Sequence, residues 1–171
     1  MTRSVVGARV WVVAAIATAA CKVQDDVPLE QSAHVAPSVA PAASGHIRVA
    51  TASATGDAAP VVRDEMAKAA AEKRRVVVYV GAEWCEPCSR FLRAAESGEL
   101  DAVFGDVTLL LFDSDRDRDR LSAAGYTSRY IPLFALPAGD GTASHKQIEG
   151  GIKGDAAVAN IASRLRDMLA Q

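Results

Sequence analysis

Two cysteines, Cys85 and Cys88, are separated by two residues in the segment Trp84-Cys85-Glu86-Pro87-Cys88. This spacing brings two sulfur atoms within disulfide reach across one helical turn. The β-branched run Val76–Val80 just before the pair predicts a buried strand, and a helix is predicted to start at about Cys85. Cys85 would then lie at a helix N-terminus, where the helix dipole stabilises a thiolate. The segment therefore predicts a centre for two-electron thiol–disulfide exchange.

The two thiols are expected to differ in exposure. Cys88 shares a predicted helix face with Phe91, Leu92 and Ala95, so we expect it to be buried and Cys85 to be exposed. An exposed thiol attacks and a sheltered thiol resolves in a two-cysteine exchange centre.

The elements that position these cysteines follow one another in the order α, β-α-β, α, β-β-α. Asp57 is predicted to cap the first helix and Asp155 the last. Parallel strands joined by a crossover helix, followed by a terminal hairpin, predict an α/β fold. We expect one mixed four-stranded central sheet with helices on both faces; its strands are Val76–Val80, Val107–Phe112, Ile131–Leu136 and Ser144–Glu149.

Composition excludes several classes of protein. The chain has 171 residues, of which 50% are hydrophobic and 23% charged, so full-length disorder is excluded. A net charge of −2 gives no general attraction to nucleic acid, which we do not expect as a partner. Three cysteines are too few for a disulfide-stapled scaffold.

Residues 1–21 have the layout of a secretory signal: a positive start, a short apolar run and small residues at its end. The ending Thr18-Ala19-Ala20-Cys21 resembles a bacterial lipobox, although the usual leucine is replaced by Thr18. We therefore predict an exported, periplasmic or cell-envelope protein held to a membrane by lipid on Cys21. Ordinary cleavage near Ala19 or Ala20, or an uncleaved N-terminal anchor, are the alternatives.

Residues 22–57 are rich in Ala, Ser, Pro, Val and Thr, which predicts a flexible linker. We expect His34 and His46 to be solvated linker residues. The domain itself is assigned to residues 58–171.

Three separated segments resemble the thioredoxin superfamily. Val76–Cys88 is similar to its first core strand and active-site motif, and Tyr130–Phe134 to its cis-proline segment. Gly150-Gly151 resembles the glycine that lets substrate backbone approach. The likeness covers about Val61–Gln171.

The resemblance implies a thioredoxin fold and a set of roles. Cys85 would attack a partner disulfide and Cys88 would resolve the mixed disulfide, with Trp84, Glu86 and Pro87 supporting the pair. Residues beside the pair would bind substrate backbone: Ile131, Pro132 in the cis form, and Gly150. We expect a monomer without cofactor, whose partners are exported proteins bearing disulfides or thiols, with a membrane thiol carrier as electron donor.

Tyr79 departs from the family pattern, because many thioredoxins carry a buried acid at that position. Glu86 first, and Glu83 second, are candidates to accept the proton of the resolving thiol. Glu86 also places negative charge beside Cys85, which should raise the pKa of that thiol and make the pair more reducing. We therefore predict reduction or isomerisation of partners in preference to oxidation.

Three alternatives remain for the cysteine pair. Zinc needs further ligands that the sequence does not offer, so we expect no metal. A structural disulfide would leave Trp84 and the proline segment unexplained. A non-catalytic module that binds a partner, or a chaperone for copper, could use the same two cysteines.

The alternation of Asp113, Asp115, Asp117 and Asp119 lacks a calcium loop's glycine and is interpreted as a solvated helix start.

Overall fold

The computed structural model describes residues 45–171, in which five strands and five helices follow in a largely alternating order. Their order is β1 (Arg48–Thr51), α1 (Ala58–Ala71), β2 (Arg75–Gly81), α2 (Glu86–Glu96), α3 (Asp101–Phe104), β3 (Val107–Asp113), α4 (Arg118–Ala123), β4 (Leu133–Pro137), β5 (Ala143–Glu149) and α5 (Ala157–Leu169). The predicted α/β class is confirmed. Within the described residues, no helix combines the length and the apolar character needed to cross a membrane.

The strands form one mixed sheet in the spatial order β1-β3-β2-β4-β5. β3 is parallel to both β1 and β2, whereas β4 pairs antiparallel with β2 and with β5. β2 therefore lies at the centre of the sheet, and six of its seven residues are buried. The continuous apolar run Val76–Val80 reflects this position, because both faces of the strand are covered.

Residues alternate along the central strands between two hydrophobic cores. Val77 and Tyr79 of β2 face one core, and Val76, Val78 and Val80 face the other. The first core lies between the sheet and helices α2, α3 and α5, and we call it the α2–α5 face. The second, the α1–α4 face, lies between the sheet and helices α1 and α4. The period of two in a strand thus divides one sequence run between two layers.

The prediction of a linker ending at residue 57 and of a four-stranded sheet is wrong, because Arg48–Thr51 adds a fifth strand at the edge beside β3. His46 is also not a free linker residue: its Nδ1 lies 2.5 Å from Asp101 Oδ2. Asp101 also accepts the Ile47 backbone N–H at 2.9 Å. These contacts join residues more than 50 positions apart. The signal segment 1–21, Cys21 and linker residues 22–44 lie outside the described residues.

The helix starts are only partly as predicted. Asp57 is the N-cap residue of α1, although its side chain makes no capping hydrogen bond. Asp155 does not cap the last helix, because the N-cap of α5 is Ala156. Asp155 instead accepts a hydrogen bond from Arg90 Nη1 at 3.2 Å, so it contacts α2 and not its own helix.

Candidate redox site

Cys85 and Cys88 form a disulfide bond, with their Cα atoms 5.2 Å apart. Cys85 is the N-cap residue of α2, directly after the turn that follows β2, and its carbonyl accepts the N–H of Ser89 at 3.1 Å. Pro87 occupies the first turn, where a missing N–H costs no helical hydrogen bond. Cys85 therefore has the location predicted for it, at the positive end of a helix dipole.

Both cysteines are buried, with Cys85 4% exposed and Cys88 1% exposed. The prediction of a buried Cys88 is confirmed, and that of an exposed Cys85 is wrong for the disulfide form. Each cysteine packs in the core of the α2–α5 face. The helical pattern could not show this burial, because Cys85 precedes the first helical residue of α2 and packs in a core that also contains residues of β2, β3, β4 and α5.

Trp84 is 70% exposed beside the disulfide. Its Nε1–H donates to Asp115 Oδ2 at 2.8 Å, which fixes the indole against the loop after β3. A groove of about 540 Å³ runs from Trp84 to Tyr130 and Ile131. Tyr130 and Ile152 are also exposed large apolar residues. The site therefore has an apolar, solvent-facing rim suited to contact with another protein.

The proline segment lies at the other side of this groove. The Ile131–Pro132 peptide bond is cis. Ile131 packs against the core that contains both cysteines, and the Pro132 carbonyl accepts the Gly150 N–H at 2.8 Å. Gly150 has a φ of +69°, a conformation that favours glycine. Pro132 and Gly150 thus lie side by side, and a Cβ on the next residue, Gly151, would lie 3.4 Å from the Cβ of Pro87, between the two cysteines in sequence.

The Glu86 carboxylate accepts hydrogen bonds from two partners. Arg90 Nε donates to its Oε1, and the Gly154 N–H donates to Oε1 at 3.2 Å and to Oε2 at 3.4 Å. The Arg90 hydrogen bond, assisted by Gly154, lowers the pKa of Glu86. The carboxylate therefore stays charged at neutral pH, but Arg90 offsets that charge at the site.

A cleft of about 550 Å³ lies on the inner side of Cys88 and is called the Tyr79 cleft. It is lined by Cys88 and α2 residues on one side and by Tyr79, Gly81 and Leu111 on the other. Glu83, which is exposed, also lines it, whereas Glu86 does not. Of the two predicted proton acceptors, only Glu83 therefore shares a cavity with the resolving cysteine.

The acidic alternation after β3 has a structural role. Asp117 is 1% exposed and accepts hydrogen bonds from Arg116, Arg120 and the Asp113 backbone N–H. Burial opposes ionisation, but these hydrogen bonds outweigh it and lower the pKa of Asp117. The interpretation of this segment as a solvated helix start is wrong for Asp117. Within residues 45–171, no group of three or more His, Cys, Asp or Glu side chains is arranged to hold a metal ion.

Comparison with known proteins adds structural neighbours only. No family model matches the chain, and no curated protein matches it. Thioredoxin O1 from Arabidopsis thaliana, in the oxidized state, is 21% identical; the match covers 72% of this chain and 96% of that one, with a TM-score of 0.45. Fasciola hepatica thioredoxin is 22% identical over 72% of this chain and 97% of that one, at 0.46. Trichomonas vaginalis thioredoxin is 20% identical over 72% and 96%, at 0.45.

The strand order, the helices on both faces, the disulfide at the start of α2 and the cis bond before Pro132 combine in one arrangement. This chain has the thioredoxin fold.

Proposed function

We propose that this protein is a thiol–disulfide oxidoreductase that exchanges the Cys85–Cys88 disulfide with cysteines of partner proteins. The observation that carries the proposal is a disulfide at a helix N-terminus beneath an exposed apolar rim. A purely structural disulfide would not need Trp84 and Tyr130 exposed beside it. Ile131 lines the same groove as Trp84, and the Gly150 N–H donates to the Pro132 carbonyl, so this segment offers backbone to which an extended partner segment can bind.

Reduction of a partner would proceed in two displacements. The Cys85 thiolate attacks a partner disulfide, forming a mixed disulfide and releasing one partner thiolate. The Cys88 thiolate then attacks the Cys85 sulfur, which forms the Cys85–Cys88 disulfide and releases the second partner thiolate. The partner gains two electrons and takes two protons from solvent, and this protein loses two electrons. A dithiol donor must return them, and we propose a membrane thiol carrier for that role.

We further propose that the protein works in reduction or isomerisation. Glu86 lies next to Cys85 and is ionised, which disfavours a thiolate there and favours the disulfide form. Its ion pair with Arg90 limits the size of this effect. The preference for reduction is therefore expected to be modest.

Glu83 is the better candidate to receive the proton of Cys88. It lines the Tyr79 cleft together with Cys88, whereas both Glu86 oxygens accept hydrogen bonds from Gly154. A proton leaving Cys88 can pass through the cleft to Glu83 or to solvent.

The proposal is tested by trapping. A Cys88→Ser variant should accumulate mixed disulfides through Cys85, because the resolving thiol is gone. The matched control, Cys85→Ser, keeps one buried thiol and should trap nothing. Wild-type protein should also speed the reduction of insulin by dithiothreitol. Failure of both experiments would contradict the proposal, and copper bound to the unreacted pair would favour a metal-binding module instead.

We also propose export, with a lipid anchor on Cys21. The support is the signal-like layout of residues 1–21 and the small residues before the cysteine. Labelled fatty acid should appear on the wild-type protein and be absent from a Cys21→Ser variant. A wild-type protein that stays unlabelled in a host that acylates other lipoproteins would contradict the anchor.

A further inference from the structure

Tyr79 carries a buried hydroxyl without a hydrogen-bond partner. The residue is 2% exposed, and its Oη is among the few buried side-chain oxygens of the described residues that bond to nothing. Buried polar groups are almost always hydrogen-bonded, so an exception calls for a reason. Burial raises the pKa of Tyr79, so the hydroxyl keeps its proton and has a hydrogen to donate.

Tyr79 has the same surroundings as Cys88 of the redox centre. Tyr79 and Cys88 both line the Tyr79 cleft and both pack in the core of the α2–α5 face. Gly81, two residues further along β2, makes room for it: a Cβ on Gly81 would lie 2.4 Å from the Tyr79 Oη. The glycine therefore lets the phenol extend toward the end of β2 from which the cysteines follow.

We propose that the Tyr79 hydroxyl is the donor that stabilises the Cys88 thiolate once the disulfide is reduced. This inference rests on the proposed thiol–disulfide exchange. In the oxidised protein Cys88 sulfur is shared with Cys85 and is a weak acceptor, which accounts for the idle hydroxyl. Reduction breaks the covalent bond, and the two sulfurs must move apart to non-bonded separation. The Cys88 sulfur can then turn toward the cleft, where a thiolate is a strong acceptor.

The proton balance differs from that of a buried acid. An acid at this position would take the Cys88 proton, whereas the phenol cannot. The Cys88 proton leaves through the cleft, and the phenol donates its own hydrogen to the thiolate without transferring it. Hydrogen bonding to a charged form lowers its pKa, so Cys88 would be more often ionised and resolve faster.

Charged groups facing the cleft could also change the pKa of the Cys88 thiol. They come from the loop before α2, from α2 itself, from β3 and from the residue run after β3: Glu83, Arg93, Glu96, Asp113 and Arg116. Arg116 is hydrogen-bonded to Asp117, and Asp113 accepts two backbone N–H groups. The test must therefore change the hydroxyl alone.

Tyr79→Phe removes only that oxygen. In the full chain carrying Cys21→Ser and Cys85→Ser, Cys88 is the sole thiol, and its pKa is followed by the ¹³Cβ chemical shift of labelled cysteine. Adding Tyr79→Phe should raise the Cys88 pKa by about one unit, a roughly tenfold loss of thiolate at neutral pH. In protein with Cys85 intact, the release of thionitrobenzoate from a Cys85 mixed disulfide should slow by a similar factor.

Tyr126→Phe is the matched control. It removes another buried phenol oxygen, one that donates to the Gly141 carbonyl at 2.8 Å on the α1–α4 face. It should leave the Cys88 pKa unchanged even where it lowers stability. An unchanged Cys88 pKa in Tyr79→Phe overturns this inference while leaving exchange intact. A Cys88→Ser variant that traps no mixed disulfide, together with wild-type protein that does not speed insulin reduction, overturns the proposed function instead.

Discussion

Each face of the sheet buries one tyrosine, and the two tyrosine hydroxyls differ in whether they have a hydrogen-bond partner. On the α1–α4 face Tyr126 is 3% exposed, and its hydroxyl donates to the Gly141 carbonyl at 2.8 Å. On the α2–α5 face Tyr79 is 2% exposed, and its hydroxyl has no partner. A satisfied hydroxyl stabilises the fold, whereas an unsatisfied one costs stability. The face with the satisfied tyrosine lacks the cysteine pair, whereas the face with the unsatisfied one contains both cysteines in its core.

The same contrast holds for charge. Asp117 is the last residue of the loop between β3 and α4, and its buried carboxylate pairs with two arginines, Arg116 and Arg120. Glu86 lies at the start of α2 next to Cys85, and its pairing with Arg90 is partly exposed to solvent. A buried carboxylate with several donors contributes to stability, whereas an exposed one mainly adjusts the local electrostatic potential.

The largest expected effect is on activity and belongs to the redox centre. Cys85→Ser should abolish insulin reduction, because the attacking sulfur is lost. Its free energy of unfolding should fall only by the amount that loss of the disulfide causes. Unfolding of wild-type protein under strong reductant measures that amount directly. Substantial activity in this variant would mean that exchange uses another thiol.

The next effect is on stability and belongs to Asp117. Asp117→Asn should lower the free energy of unfolding by about 3 kcal/mol, because two arginines lose a buried carboxylate. Urea unfolding at pH 7 measures this, and activity per folded molecule should be unchanged. Asp119→Asn, two residues further along the chain and exposed, serves as the control for adding an amide. A loss of activity without a loss of stability would contradict the division between the faces.

The Asp117 contribution also has a defined pH dependence. Its native pKa is lowered, so its stabilisation is complete above the ordinary aspartate range, about pH 4, and is lost as pH falls through the lower native value. The stability difference between wild type and Asp117→Asn should therefore narrow in acid. A difference that stays constant down to pH 2 would contradict the ion-pair account.

A smaller effect compares the two tyrosines directly. Tyr126→Phe should cost about 1 to 2 kcal/mol, because the Gly141 carbonyl loses its donor. Tyr79→Phe should cost nothing or slightly stabilise the oxidised protein, because it removes an unsatisfied hydroxyl. Urea unfolding of the two oxidised variants measures both changes. Equal losses would show that Tyr79 has a structural partner after all.

The smallest effect concerns the charge beside Cys85. Glu86→Gly should lower the pKa of the Cys85 thiol by half a unit or less, roughly, because Arg90 already offsets the carboxylate. The same change in an Arg90→Gln background should have a larger effect, since the charge is then uncompensated. Titration of thiolate absorbance measures all four proteins of this cycle. Equal changes in the Cys85 pKa in both backgrounds would show that Arg90 does not offset the Glu86 charge.

Local patterns predicted most of what positions the site. The β-branched run of β2, the cysteine pair and the proline segment are each encoded in a few adjacent residues. The edge strand β1 was missed because Arg48–Thr51 is short and becomes a strand through pairing with β3. The burial of Cys85 was missed because Cys85 packs in a core built from several strands and helices. The burial of Asp117 was missed because the alternation of Asp and Arg does not show which carboxylate is buried.

Tyr79 shows the limit of sequence reasoning most clearly. The sequence revealed a tyrosine where an acid is usual, but only the structure shows that its hydroxyl is buried and has no partner. Whether a buried hydroxyl has a hydrogen-bond partner depends on all the strands and helices that surround it. The same holds for Glu83 and Glu86 as proton acceptors: Glu83 lines the Tyr79 cleft and Glu86 does not, although Glu86 is nearer to Cys88 along the chain.

We propose that Cys85 and Cys88 form a reversible exchange centre suited to reduction, and the decisive measurement is the reduction potential of the pair. The protein is equilibrated in redox buffers with a series of thiol-to-disulfide ratios, and free thiols are then alkylated. Mass spectrometry of the peptide containing both cysteines gives the reduced fraction at each ratio. We predict one two-electron transition, with both cysteines changing together, at roughly −300 to −200 mV. A disulfide that stays oxidised at every ratio would contradict reversible exchange. A transition at about −120 mV, as in strong oxidants, would contradict the preference for reduction.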